Sequence, residues 1–234
     1  MRAAALRCRL RPLRPDDIPQ VLDIERASFP SMWPQTVYQR ELKNKMARYL
    51  VACGPAGVDD APGPLIQPEH DGARRFVRRF FGGLPAPERP RERVLGLVGL
   101  WLVLGEAHIV TIAVRPELRR QGIGELLLLA AIETALDERQ DEVTLEYRMS
   151  NGEARALYDK YGFQQVGVRA KYYSDTGEDA VLMTTPPLRS LTYQQLLLAR
   201  AAEQRARWGD DYPLSGRLTR EKGARNSEAE RGSL

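Results

Sequence analysis

The stretch Arg119-Arg120-Gln121-Gly122-Ile123-Gly124-Glu125 lies between an apolar strand-like run, His108 to Val114, and an apolar helix-like run, Glu125 to Leu136. Gly122 and Gly124 carry no Cβ, so the chain can turn tightly there and bring successive backbone N–H groups close to an anion. The helix that follows opens with N–H groups that have no intrahelical partner and lie at the positive end of its dipole. Arg119 and Arg120 add charge. Two readings stay open on these residues alone: plain strand-to-helix turn chemistry, or a cradle for a pyrophosphate. Either way a strand must run directly into a helix, which places the chain among α/β folds.

Composition narrows the class. The chain has 234 residues, of which 43% are hydrophobic, enough for a substantial core, and no apolar run reaches the length of a membrane span. Lys plus Arg number 35 against 31 for Asp plus Glu, a mild excess that does not by itself imply nucleic acid. Cys8 and Cys53 have neither metal-ligand spacing nor the density of a disulfide scaffold, so the expectation is a reducing compartment and no metal. Met1 to Arg14 is rich in arginine without the apolar core of a secretory signal, and a cytoplasmic protein is expected.

Along the chain, Leu6 to Leu13 alternates apolar and basic residues, the period of a half-buried strand. Pro15-Asp16-Asp17 starts a helix whose buried stripe is Ile18, Val21, Leu22 and Ile24. Phe29 to Pro34 breaks it, a second helix runs from about Gln35 to Lys43, and Tyr49 to Cys53 is a short strand. Trp33, on the loop between the helices, is either a packed loop aromatic or a wall of an acceptor pocket. Gly54 to Arg93 holds seven of the sixteen prolines and six of the nineteen glycines and reads as an insertion. Within it, Arg74, Arg75, Arg78 and Arg79 oppose Phe76, Val77, Phe80 and Phe81 at helical spacing. That face fits a membrane surface, RNA or an acidic partner, or simply docks its aromatics on the domain.

Val94 to Leu104 and His108 to Val114 form an expected antiparallel hairpin about Gly105-Glu106. Val143 to Arg148, reached through the helix after the glycine turn, is expected parallel to His108 to Val114. Ser150-Asn151-Gly152-Glu153 caps a helix through Tyr158 that ends at Gly162. Gln164 to Tyr173 and Asp179 to Thr185 make a final hairpin. Beyond Pro187 the expectation is a C-terminal tail, 188–234, with one amphipathic helix from Leu191 to about Trp208 and then disorder.

This order of elements resembles the GCN5-related N-acetyltransferases (GNAT), whose acetyl-CoA signature Arg119-x-x-Gly122-x-Gly124 matches. Within that family the likeness is to the ribosomal-protein-alanine N-acetyltransferases, the RimI type. It is carried by Ile112-Ala113-Val114, Arg120 to Gly124, Leu145-Glu146-Tyr147-Arg148, Ser150-Asn151, Ala156-Leu157-Tyr158, Tyr161-Gly162-Phe163 and Tyr172-Tyr173, and spans roughly Leu6 to Thr185. The insertion and the tail lie outside the compact pattern.

The resemblance implies a mixed, mainly antiparallel sheet flanked by helices, with central parallel strands splayed at the cofactor site. It implies acetyl transfer from acetyl-CoA to a protein N-terminal amine, with a ribosomal protein as one acceptor it suggests, by direct attack through a tetrahedral species. Glu146 matches the general base and Tyr158 the general acid. Ile112, Ala113 and Val114, the loop Arg119, Arg120, Gln121, Gly122, Ile123, Gly124 and Glu125, and Asn151 match cofactor-binding positions. Trp33, Tyr172 and Tyr173 match the acceptor groove. From the residues alone Glu146 is equally a surface carboxylate paired with Arg148 or Arg155, and Tyr158 a packed helix tyrosine. Acetylation of a small amine or a lysine side chain, and a non-catalytic acetyl-CoA-binding module, are the competing functions.

Overall fold

The structure, a computed structural model, describes residues 8–29, 35–55 and 92–209. The functional expectations placed on Trp33 and on residues 74–81 lie outside the described residues. The described strands are β1 (Arg9–Pro12), β2 (Ala47–Pro55), β3 (Glu92–Val103), β4 (Glu106–Val114), β5 (Glu142–Arg148), β6 (Gln164–Tyr173) and β7 (Glu178–Thr184). The helices are α1 (Ile18–Ser28), α2 (Gln35–Glu41), α3 (Ile123–Asp137), α4 (Gly152–Lys160) and α5 (Leu191–Trp208).

The strands form one sheet in the order β1-β2-β3-β4-β5-β7-β6, antiparallel throughout except for the parallel pair β4–β5. The parallel pair is the one joined through α3, as a right-handed crossover requires. The β3–β4 hairpin turns on Leu104 and Gly105, both at positive φ (50° and 91°), the paired left-handed conformation of a two-residue turn whose twist matches the strands.

Each face of the sheet carries its own core. One contains Ile18, Val21 and Ile24 of α1 and Tyr38 of α2 against Val51, Val94 and Leu97. The other contains α3, whose Leu126 to Leu129 and Ile132 are all fully buried, together with Tyr158, Tyr161 and Phe163. A helix this apolar on all sides needs cover on its far side as well as from the sheet. α5 supplies it through Tyr193, Leu197 and Ala201, which belong to the same buried cluster as α3.

The helix expected from Leu191 to about Trp208 is α5, and its Tyr193, Leu197 and Ala201 complete the α3 core. The ends of the expected insertion are strand, since Gly54 pairs with Arg93 and Pro55 with Glu92. Arg11 fixes this edge: its guanidinium bonds Asp17 at 2.6 and 2.9 Å and Glu92 at 2.9 Å. α2 ends at Glu41 and α3 begins at Ile123, each two residues before the expected boundary.

Candidate active site

The site begins with a break in the sheet. β4 and β5 pair only from Glu106 with Glu142 to Ile109 with Leu145. On its other side β4 carries an irregularity: Gly99 pairs with Thr111 but Leu100 with Ile109, so Val110 is an extra residue. A bulge bends its strand and ends regular pairing, and here it turns the second half of β4 away from β5. Ile112, Ala113 and Val114 therefore lie beyond the paired stretch, with no ladder between them and β5. The Ile112 and Val114 side chains pack on the α3 core and Ala113 on the α1 core.

The glycine loop stands at the end of this opening. Gly122 is the N-cap of α3 with φ 89°, a conformation that calls for glycine, and a Cβ there would lie 3.0 Å from the guanidinium of Arg207. A Cβ at Gly124 would make only ordinary contacts of 3.8 Å with Leu157 and Val114. The backbone from Gln121 to Gly124 thus passes into the first turn of α3 with its N–H groups at the positive end of the helix, and this cradle fits a pyrophosphate. Arg119 spans Val114 O (3.3 Å) and Ser28 Oγ (3.1 Å), tying the loop to β4 and α1. Arg120, itself at φ 63°, reaches Glu153 of α4 at 3.7 Å. Glu125 turns its carboxylate to Lys160 (2.5 Å), Gln204 (2.6 Å) and Tyr161 (3.3 Å), joining α4 and α5 to the base of the loop. Asn151 caps α4, its side-chain oxygen accepting from Ala154 N at 3.1 Å.

Alternation along β5 sends Leu145 and Tyr147 into the α3 core and Glu146 to the opposite face. There Glu146 is 7% exposed and pairs with His108 Nε2 at 2.9 Å and Arg169 at 3.1 Å. The hydrogen bond from His108 outweighs desolvation and, with Arg169, holds the Glu146 carboxyl below the usual range. Its partners are neither Arg148, which pairs with Asp175, nor Arg155, which pairs with Asp159.

His108 was not singled out in the sequence. The parallel register sets it beside Thr144, two residues before Glu146 on the same face of β5. His108 Nδ1 lies 2.8 Å from Thr144 Oγ1, and the Thr144 hydroxyl donates to Glu106. His108 thus lies between Glu146, met directly, and Glu106, met through the Thr144 hydroxyl, which fixes the ring beside the Glu146 carboxylate.

These groups open into a cavity of about 610 Å³ whose walls include Trp101, Glu106, His108, Glu146, Arg169 and Tyr172. Trp101 is held by Glu41 of α2, 2.6 Å from its indole nitrogen. A register shift in β6 between Arg169 and Tyr173, with Lys171 at φ 51°, separates the two candidate tyrosines. Tyr172 lines the cavity, whereas Tyr173 lies under the Arg148 guanidinium, 3.9 Å from its ring centre. Burial, opposed by Arg148, pushes Tyr173 up to about 12.

Tyr158 lies on the other face of β5 from Glu146. It is buried between Tyr147 and Phe163, each ring 5.7 Å away. Burial first, then the nearby Tyr173 and Tyr147, raises its phenol well above the ordinary value, so the hydroxyl keeps its proton.

Comparison with known proteins accords with this geometry. The sequence pattern of the Acetyltransferase (GNAT) family matches residues 18–163. A putative [ribosomal protein bS18]-alanine N-acetyltransferase of Bacillus subtilis is 34% identical over 175 residues, 74% of this chain and 92% of that protein. An N-alpha-acetyltransferase of Saccharolobus solfataricus is 34% identical over 178 residues, 76% and 92% of the two chains. The crystal structure of Arabidopsis thaliana NAA60 in complex with acetyl-CoA shares the fold with a TM-score of 0.56 at 18% identity, over 76% of this chain and 97% of that one.

Proposed function

The chain belongs to the acetyltransferase (GNAT) family, and we propose that it acetylates the N-terminal α-amine of a protein, a ribosomal protein being the acceptor its relatives suggest. The observation that carries the reading is the placement of Glu146 and His108 on one side of the β4–β5 opening and of Tyr158 on the other. An acceptor entering from the cavity and a leaving group departing toward α4 then meet different proton-handling groups.

When bound, acetyl-CoA supplies an acetyl group activated as a thioester. The backbone of Gln121, Gly122, Ile123 and Gly124 holds its phosphates, and Asn151 at the head of α4 borders the arm. An α-amine has a pKa near 8 and is largely protonated at neutral pH, so a proton must leave before attack. Glu146, on the cavity wall, would take that proton through a water and pass it to solvent, with His108 and Arg169 holding its carboxylate in place. Held below the usual range, the carboxyl keeps its charge at neutral pH and can accept from the incoming ammonium. As the new C–N bond forms, N–H groups of Ile112 to Val114 face the developing oxyanion. As the C–S bond breaks, Tyr158 delivers its phenolic proton to sulfur and recovers one from solvent.

The test follows release of the CoA thiol with an alanine-initiated peptide, the same peptide blocked at its N-terminus but retaining lysine, and a polyamine. Turnover with the first alone is expected. Turnover with the blocked peptide or the polyamine at an equal rate refutes N-terminal selectivity.

A further inference from the structure

Arg207 lies near the C-terminal end of α5, 87 residues from the glycine loop in sequence, yet its Nη2 donates to Arg120 O at 3.3 Å. Its guanidinium is also the group that a Cβ on Gly122 would strike, with Cζ and Nε at 3.0 Å and Nη1 at 3.2 Å. We infer that α5 completes the cofactor site and that Arg207 is a phosphate-binding residue, contributed by a helix beyond the matched family region, residues 18–163. The inference rests on the reading that acetyl-CoA binds at this loop.

Three observations support it. First, Arg207 is held in place by the packing of α5 as a whole. Gln204, 2% exposed, donates to Glu125 at 2.6 Å and accepts from Trp208 Nε1 at 3.2 Å, so the last turns of α5 are bonded to the first turn of α3. Glu203 and Lys160, 3.6 Å apart, add a tie to α4. Second, the two arginines of the loop have other partners: Arg119 is used to bind β4 and α1, and Arg120 turns to Glu153. Third, among the described residues Arg207 has one hydrogen bond, to a loop carbonyl, and no carboxylate. A guanidinium has five N–H donors in a planar fork suited to a phosphate, and among the described residues only one bond engages this fork. Glu125, the acid within the loop by sequence, pairs with Lys160 and accepts from Gln204 rather than meeting Arg207, so the Arg207 charge stays directed at the loop.

Calorimetric titration of the full chain with acetyl-CoA and with acetyl-pantetheine, which lacks the phosphates, tests the assignment. Arg207→Ala is expected to weaken acetyl-CoA binding about 10-fold, the scale of a charge-assisted hydrogen bond, and to leave acetyl-pantetheine binding unchanged. Arg207→Lys keeps the charge without the fork and is expected between the two. Arg207 is exposed, so the melting temperature of each variant without ligand should equal the parent's. Unchanged or tighter acetyl-CoA binding by Arg207→Ala overturns the inference; so does an equal loss for both ligands, which would mark a role in the loop's shape alone. A parent that binds no acetyl-CoA would overturn the cofactor reading with it, whereas a parent that binds beside an unaffected Arg207→Ala overturns only the role of Arg207.

Discussion

Replacing Glu146 with Gln keeps the side-chain volume and removes the charge that faces His108 Nε2 at 2.9 Å. A hydrogen bond to a charged group is worth about 1.5–3 kcal/mol. Lost from the transition state alone, that is about 10- to 10²-fold in rate. The rate at neutral pH should fall by about 10²-fold or more, the contribution of a positioned base. Above the pKa of the acceptor amine the loss should shrink, because a neutral amine needs no base. Acetyl-CoA affinity should not change, since Glu146 lies across β5 from the α3 core. The assay is the steady-state rate of thiol release between pH 5.5 and 9.5 with an N-terminal peptide. A variant with the parent's rate at neutral pH refutes Glu146 as the proton acceptor.

Tyr158→Phe should also slow turnover, but its effect should persist where the amine is already neutral, because it acts on the leaving sulfur; a loss that vanishes at high pH would contradict that role. Gly122→Val should abolish the rise in melting temperature given by acetyl-CoA, which at 100 times Kd is worth about 2.7 kcal/mol, while Gly124→Ala, whose Cβ has ordinary contacts, should retain it. Leu197→Ala, at a fully buried position of α5, should destabilise the whole domain by about 2–5 kcal/mol in denaturant unfolding; a value near zero would mean that α5 is not part of the core.

Much of the fold could be read from residue patterns. Strand alternation, the glycine turn and the all-round apolarity of α3 placed most elements within two or three residues, because each pattern reports a local period. The parallel pairing of β4 with β5 followed from the intervening helix. What the sequence did not show depends on register and on contacts distant along the chain. Glu146 was visible as a strand carboxylate, but its partner was not. His108 becomes that partner only through the β4–β5 register and the bulge at Val110, and neither leaves a local mark. Trp33 stood out as a loop aromatic, whereas Trp101, which does line the cavity, looked like one more apolar residue of β3 until its indole met Glu41. Glu125 belonged to the loop by sequence, yet its carboxylate serves α4 and α5. The core role of α5 was hidden because the spacing of Tyr193, Leu197 and Ala201 marks an apolar face but says nothing of which helix that face covers.

The central claim is transfer of acetyl to a protein N-terminus. Tandem mass spectrometry of an alanine-initiated ribosomal-protein peptide, after incubation with the full chain and acetyl-CoA, tests it most directly. The account predicts one added acetyl group, carried by the first N-terminal fragment ion and absent with Glu146→Gln at neutral pH. Acetyl found on lysine side chains with the N-terminus unmodified would contradict it.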